Sequence, residues 1–186
     1  DAGQEALLDF VDDGGGVLLF GQNGYNFLAG RHSGLAPLIP MRSWIYDTGG
    51  QIFCSGYSGV CDGFGSTTPA PVSGGHLYTP HSEVGTTVAE YAPSWASDPL
   101  SSTHKSAVTF SHGLGRGIQW GLLGNAFGAY YQTDWADVDI GQFMLNSVQW
   151  LEQGPPRADS GGPYSGVAGD TFTVDASGSS ARGDAS

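Results

Sequence analysis

The side chains able to do chemistry in this chain stand in a few short stretches. Cys54 and Cys61 enclose six residues, Ser55-Gly56-Tyr57-Ser58-Gly59-Val60, in a glycine-containing loop. A disulfide is the leading reading, and closing so small a loop restricts the unfolded chain by on the order of 2–3 kcal/mol. Two free thiols, or half of a metal site, are the alternatives. Zinc spacing is usually tighter and requires two further ligands, and none cluster nearby. His76, His81 and Glu83 share one loop, and a His-His-Glu set could hold a divalent metal, although isolated loop histidines are far more often solvated or hydrogen-bonded. Asp134, Asp137 and Asp139 could contribute to a calcium site, but calcium takes six to eight oxygens, and aspartates ahead of a helix also serve as caps. Ser111-His112 offers a nucleophile and a base in name only, since neighbours on a strand point to opposite faces.

A second set is aromatic. Trp44, Tyr46, Trp95, Trp120, Tyr130, Tyr131 and Trp135 could build a sugar-stacking surface, while core packing accounts for most such residues. Tyr131 and Trp135 are the best exposed candidates for a ligand surface. They lie between the last strand and the last helix, and α/β sheets bind ligands at the carboxyl ends of their strands. Arg182-Gly183-Asp184 spells an integrin-type tripeptide, read here as chance in a Gly/Ser-rich turn. No cluster identifies a reaction.

Composition narrows the class. The 186 residues hold 18 acidic and 6 basic side chains, a formal net charge of −12. Phosphate affinity needs clustered Lys and Arg, so an electrostatic nucleic-acid binder is excluded. No stretch approaches the ~20 apolar residues of a membrane span. Charged residues make up 13%, well below the ~25% usual in soluble domains, so Ser, Thr, Gly, Asn and Gln must form the polar surface. That balance suits an extracellular or cell-surface protein. The chain starts at Asp1 with no signal-peptide pattern, as a processed chain or an internal piece would.

The elements that must position these residues follow from periodicity. Leu7, Leu8 and Val11 recur at helical spacing, so a helix is predicted from about 2 to 13, ended by Gly14-Gly15-Gly16. Val17-Leu18-Leu19-Phe20 is an apolar run between glycines, the pattern of a strand buried on both faces of a parallel sheet. The stretch from 22 to 104 is turn-rich, with short strands expected at Ser43–Tyr46, Gln51–Cys54 and Thr87–Tyr91 and a loop at 65–75. Ala107–Phe110 and Gly117–Leu123 flank a glycine turn and read as a hairpin. Ile140, Phe143, Met144, Ser147, Val148 and Leu151 share one face of a helix expected over 137–153, stopped by Gly154-Pro155-Pro156. Thr171–Ala176 alternates as a strand does, yet about 30 residues cannot bury a core alone.

Two resemblances are carried by these stretches. The run Leu7–Gly21, then Gly113-Leu114-Gly115-Arg116-Gly117-Ile118, then Asn146-Ser147-Val148-Gln149-Trp150-Leu151 resembles class I glutamine amidotransferase-like domains, including the ThuA-like branch. That resemblance implies an α/β, flavodoxin-like three-layer sandwich over residues 1–153, with N-terminal strands that this chain lacks. Ala158-Asp159-Ser160-Gly161-Gly162-Pro163-Tyr164 with Asp175-Ala176-Ser177-Gly178-Ser179-Ser180 is similar to the first strands of PKD domains. It implies the start of an immunoglobulin-like β-sandwich over 158–186, after a Gly/Pro linker at 154–157. Catalytic amidotransferases present a cysteine nucleophile at a sharp turn. Here that turn is Gly21-Gln22-Asn23-Gly24, without Cys, Ser or Thr, and turn residues satisfying their own backbone are the simpler reading of Gln22 and Asn23. The expectation is a non-catalytic structural or adhesive module of an extracellular surface or fibre-forming protein, without catalytic, cofactor or metal residues, calcium being the one ion in question. Its partners would be neighbouring domains or subunits, a homopolymer included, and glycans. An exposed strand edge near Thr171–Val174 would be paired by another chain or by later residues. The alternative is a secreted carbohydrate-active or metal-dependent enzyme, or a glycan- or calcium-binding module, working through His76, His81 and Glu83 or through Tyr131 and Trp135.

Overall fold

The computed structural model describes residues 1–42, 45–48, 50–54, 59–64, 70–71, 75–78, 85–92, 104–122 and 138–153, with Val167, Thr171 and Ser177 as single positions. For 45–48, 70–71 and 75–78, and for Gln22, Gly24, Tyr25 and Leu28, only the backbone is described. The linker and tail expected at 154–157 and 158–186, including the strand edge at 171–174 and the Arg182-Gly183-Asp184 turn, otherwise lie outside these residues.

The first helix, α1 (Ala2–Asp12), starts where the side chain of Asp1 accepts the Gly3 N–H at 2.9 Å. Such a cap satisfies one of the donors a helix start leaves unpaired. Gly14, at φ +105°, reverses the chain, and the Gly15 N–H closes onto Phe10 O. Strand β1 (Gly16–Phe20) follows and runs directly into α2 (Gly21–Leu28). After a short 3₁₀ turn at Ser33–Leu38 come β2 (Ile45–Thr48), β3 (Gln51–Cys54), β4 (Ala70–Pro71), β5 (Gly75–Tyr78) and β6 (Thr86–Ala92). The chain continues with β7 (His104–His112), β8 (Gly115–Trp120) and helix α3 (Val138–Glu152).

Six strands form one mixed sheet in the order β1-β8-β7-β6-β3-β4, and β2 and β5 form a separate antiparallel pair. Only β1 and β8 run parallel, Val17 facing Gly117 and Leu19 facing Gln119; β8-β7, β7-β6, β6-β3 and β3-β4 are antiparallel. The expected hairpin is present, and its two-residue connection takes Gly113 at φ +55°, the positive φ that such connections require at their first position. The apolar run at 17–20 is a strand with both faces covered, although Val17 and Leu19 are buried while Leu18 and Phe20 are half-buried. The strand buried at every position is β8, which has neighbours on both sides.

Helices cover both faces, as an α/β fold requires. Val17, Leu19 and Phe110 pack with Val11 of α1 and with Leu35, Leu38 and Ile39. On the opposite face Ile118, Trp120, Ala107, Val88 and Tyr91 pack with Ile140 and Phe143 of α3 and with the Cys54–Cys61 pair. Gly117 has no side chain because a Cβ there would run into the Phe110 ring and Val17. The buried Gln119 amide is satisfied by Met41, accepting its N–H at 2.8 Å and donating to its carbonyl at 3.2 Å. This pair ties the segment after the 3₁₀ turn to β8.

Candidate functional site

Two places in the described fold have the form of a site. The first is the corner after β1. The strand enters α2 without an intervening loop, where an isolated turn is expected from the sequence, and the Gly21 N–H donates to Leu122 O at 3.1 Å. That hydrogen bond holds the corner beside the end of β8. The carboxamide oxygen of Asn23 accepts the Phe20 N–H at 3.1 Å, so the side chain at the corner is folded back onto its own backbone, as Asn does in turns. Both cysteines of the chain are elsewhere, joined in a disulfide with Cα atoms 6.0 Å apart.

The second place is a groove of about 560 Å³ between the end of the disulfide loop and α3, lined by Asp62, Gly63, Phe64, Val138, Asp139, Gln142, Asn146 and Gln149. Its position follows from the disulfide. Cys61 ends a one-turn 3₁₀ segment, Gly59–Cys61, and its bond to Cys54 on β3 draws that segment against α3. Asn146, 2% exposed, fixes the contact by donating to Val60 O at 3.2 Å and Asp62 O at 2.8 Å. Its own oxygen accepts from Gln142 Nε2 at 2.7 Å. Phe64 stacks on Phe143, ring centroids 4.0 Å apart and 18° from parallel, and Phe143 in turn meets Trp120 at 4.9 Å. Trp120 Nε1 donates to Ser147 Oγ at 2.8 Å, so the polar end of a fully buried ring is satisfied. The walls are therefore held by covalent, hydrogen-bonded and stacked contacts together.

Among the described residues no Lys, Arg or His lines the groove, and two carboxylates do. A buried cation lies at the other end of α3. Arg116 sits with its guanidinium 4.0 Å from the centre of the Trp150 ring, and its Nε and Nη2 have no hydrogen-bond partner. Burial shifts its pKa downward, since desolvation penalises the charged form. The indole face offers this cation its compensation. At the hairpin end, His112 Nε2 lies 3.3 Å from Asp12 Oδ1.

The sequence-based candidates distribute as follows. The Cys54–Cys61 disulfide is present, which sets aside the free-thiol and half-metal-site readings. His76 stands in β5 opposite Asp47 instead of in a loop, and His81 and Glu83 lie outside the described residues. Tyr131 and Trp135, like Trp44, Trp95, Tyr130, Asp134 and Asp137, also lie outside them. Asp139 opens α3 and lines the groove. Trp120 is core, and Ser111 and His112 are successive residues of β7. Among the described residues no three His, Cys, Asp or Glu side chains come together as metal ligands. Sequence reasoning missed the groove because it followed only the apolar face of α3. The signal was a second stripe, Gln142, Asn146 and Gln149, at helical spacing. No family model, curated protein or solved structure matches the chain.

Proposed function

We propose that this chain is a non-catalytic extracellular module that works through contacts with neighbouring domains or subunits of a surface or fibre-forming protein. In this reading residues 1–153 are an amidotransferase-like domain of flavodoxin-like type, and residues 158–186 begin a PKD-like β-sandwich after the linker at 154–157. The observation that supports it is the corner after β1. There the turn that carries the nucleophile in the resembled enzymes is Gly21-Gln22-Asn23-Gly24, without Cys, Ser or Thr, and the Asn23 carboxamide is engaged with Phe20 N–H, so the turn offers no nucleophile. The disulfide adds to the reading, because such bonds persist in oxidising compartments. The mixed sheet with helices on both faces is compatible with it.

Cryo-EM of the native assembled material tests the proposal. The expected map has residues 171–174 paired with a neighbouring chain or with later residues, and no ligand at Gly21–Gly24. A lone monomer with that segment unpaired, together with a bound substrate at the strand ends, would overturn it.

A further inference from the structure

We infer that the groove between Asp62–Phe64 and α3 is a binding site for a neutral, hydroxyl-rich ligand, of which an oligosaccharide chain is the macromolecular form. The inference rests on the groove alone and stands or falls separately from the module reading. A volume of about 560 Å³ falls within the range of small-ligand sites, about 300–1,000 Å³. Its walls are fixed before any ligand arrives by the disulfide, by Asn146 and by the Phe64–Phe143 stack. Preformed walls lower the ordering cost of binding.

The lining chooses the ligand class. Phosphate or carboxylate ligands need a cationic partner, and the lining has none among the described residues. Among the described residues the lining has two carboxylates, Asp62 and Asp139, too few for a metal cage. Gln142 and Gln149 are exposed on α3, and each carboxamide carries donors and an acceptor in one plane. Hydroxyl groups are also both donor and acceptor, so amides match them, and the two carboxylates accept further O–H donors. A cationic peptide would use the carboxylates and could offer its carbonyls to the amide donors, so hexalysine is the competing probe. Phe64 supplies an apolar ring for the C–H face of a sugar. Gly63, exposed and at φ +86°, has no atom within 4 Å of where a Cβ would stand, so the groove is open to solvent beside that ring.

An NMR titration of the isotopically labelled chain with maltohexaose, cellohexaose, chitohexaose and, separately, hexalysine tests this. The expected result is that one or more of the neutral oligosaccharides shifts the side-chain amide signals of Gln142 and Gln149 and the Gly63 N–H. Gln149→Ala, at an exposed position, should weaken that binding about threefold to tenfold, the loss of one hydrogen bond, with unchanged unfolding. Three results would overturn the inference: shifts with hexalysine only, which would make the groove a cationic-peptide site; shifts from a saccharide that Gln149→Ala leaves unaltered; and no shift at about 10 mM, weaker than specific recognition.

Discussion

Replacing Asn146 by alanine tests whether one side chain holds the disulfide turn against α3. Its amide donates to two carbonyls, Val60 O and Asp62 O, from a position 2% exposed. Val60 is fully buried, so its carbonyl would lose its partner without gaining water, at roughly 1–3 kcal/mol. Asp62 is exposed, and its carbonyl can rehydrate, so the second bond counts only its net worth of about 0.5–1.5 kcal/mol. Together Asn146→Ala should lower stability by about 1.5–4.5 kcal/mol, read as a shift of the urea midpoint at unchanged m-value. The near-isosteric Asn146→Asp should cost more at neutral pH, because a carboxylate presents only acceptors to two carbonyls. Burial among acceptors raises the folded-state pKa of that introduced carboxyl. Its penalty is then full above the raised value and shrinks as pH falls through it, when the protonated group donates again. A loss below about 0.5 kcal/mol for Asn146→Ala would refute the reasoning, since the turn would then be held by the disulfide and packing alone.

Three further outcomes are expected. Replacing both Cys54 and Cys61 by alanine should lower stability by at least about 2.5 kcal/mol through loop entropy, measured by urea unfolding beside the oxidised protein; both cysteines lie in the core, so the loss of their buried sulfurs adds to that figure. Arg116→Met should cost less than about 1 kcal/mol or stabilise, because the guanidinium is buried with Nε and Nη2 unpartnered and an apolar side chain of similar length removes that desolvation; a thermal midpoint lowered by a clearly larger loss would mean that the Trp150 contact outweighs it. His104 has its pKa lowered by burial and then by neighbouring Lys105, so the unfolded chain takes up this proton first as pH falls below about 6.5. Stability should decline from there until the lowered folded value is passed, and His104→Gln should flatten that part of the stability profile between neutral pH and pH 5.

Local order was legible from local chemistry. Gln51–Cys54 forms the strand expected there, α1 and α3 match their predicted spans within a residue or two, and Gly113 marks the hairpin turn. Each depends on neighbours in sequence: helical spacing, a glycine at positive φ, a proline after a helix. The direct passage of β1 into α2 was not legible, since Gly21–Gly24 has turn composition and becomes helical only with Gly21 hydrogen-bonded to Leu122.

What the sequence by itself determined is α1 and α3, the hairpin, the covered apolar strand and the pairing of its two cysteines, all set by short-range periodicity and loop closure. Only the tertiary structure decided which strand is buried at every position. Gly115-Arg116-Gly117-Ile118-Gln119-Trp120 is not an apolar run, yet every residue is buried, because Gly117 admits the Phe110 ring, Gln119 meets Met41 and Arg116 lies on Trp150. The groove was decided the same way. Asp62 and Asn146 stand 84 positions apart, and no periodicity reports a contact that exists only after the disulfide turn has packed on α3.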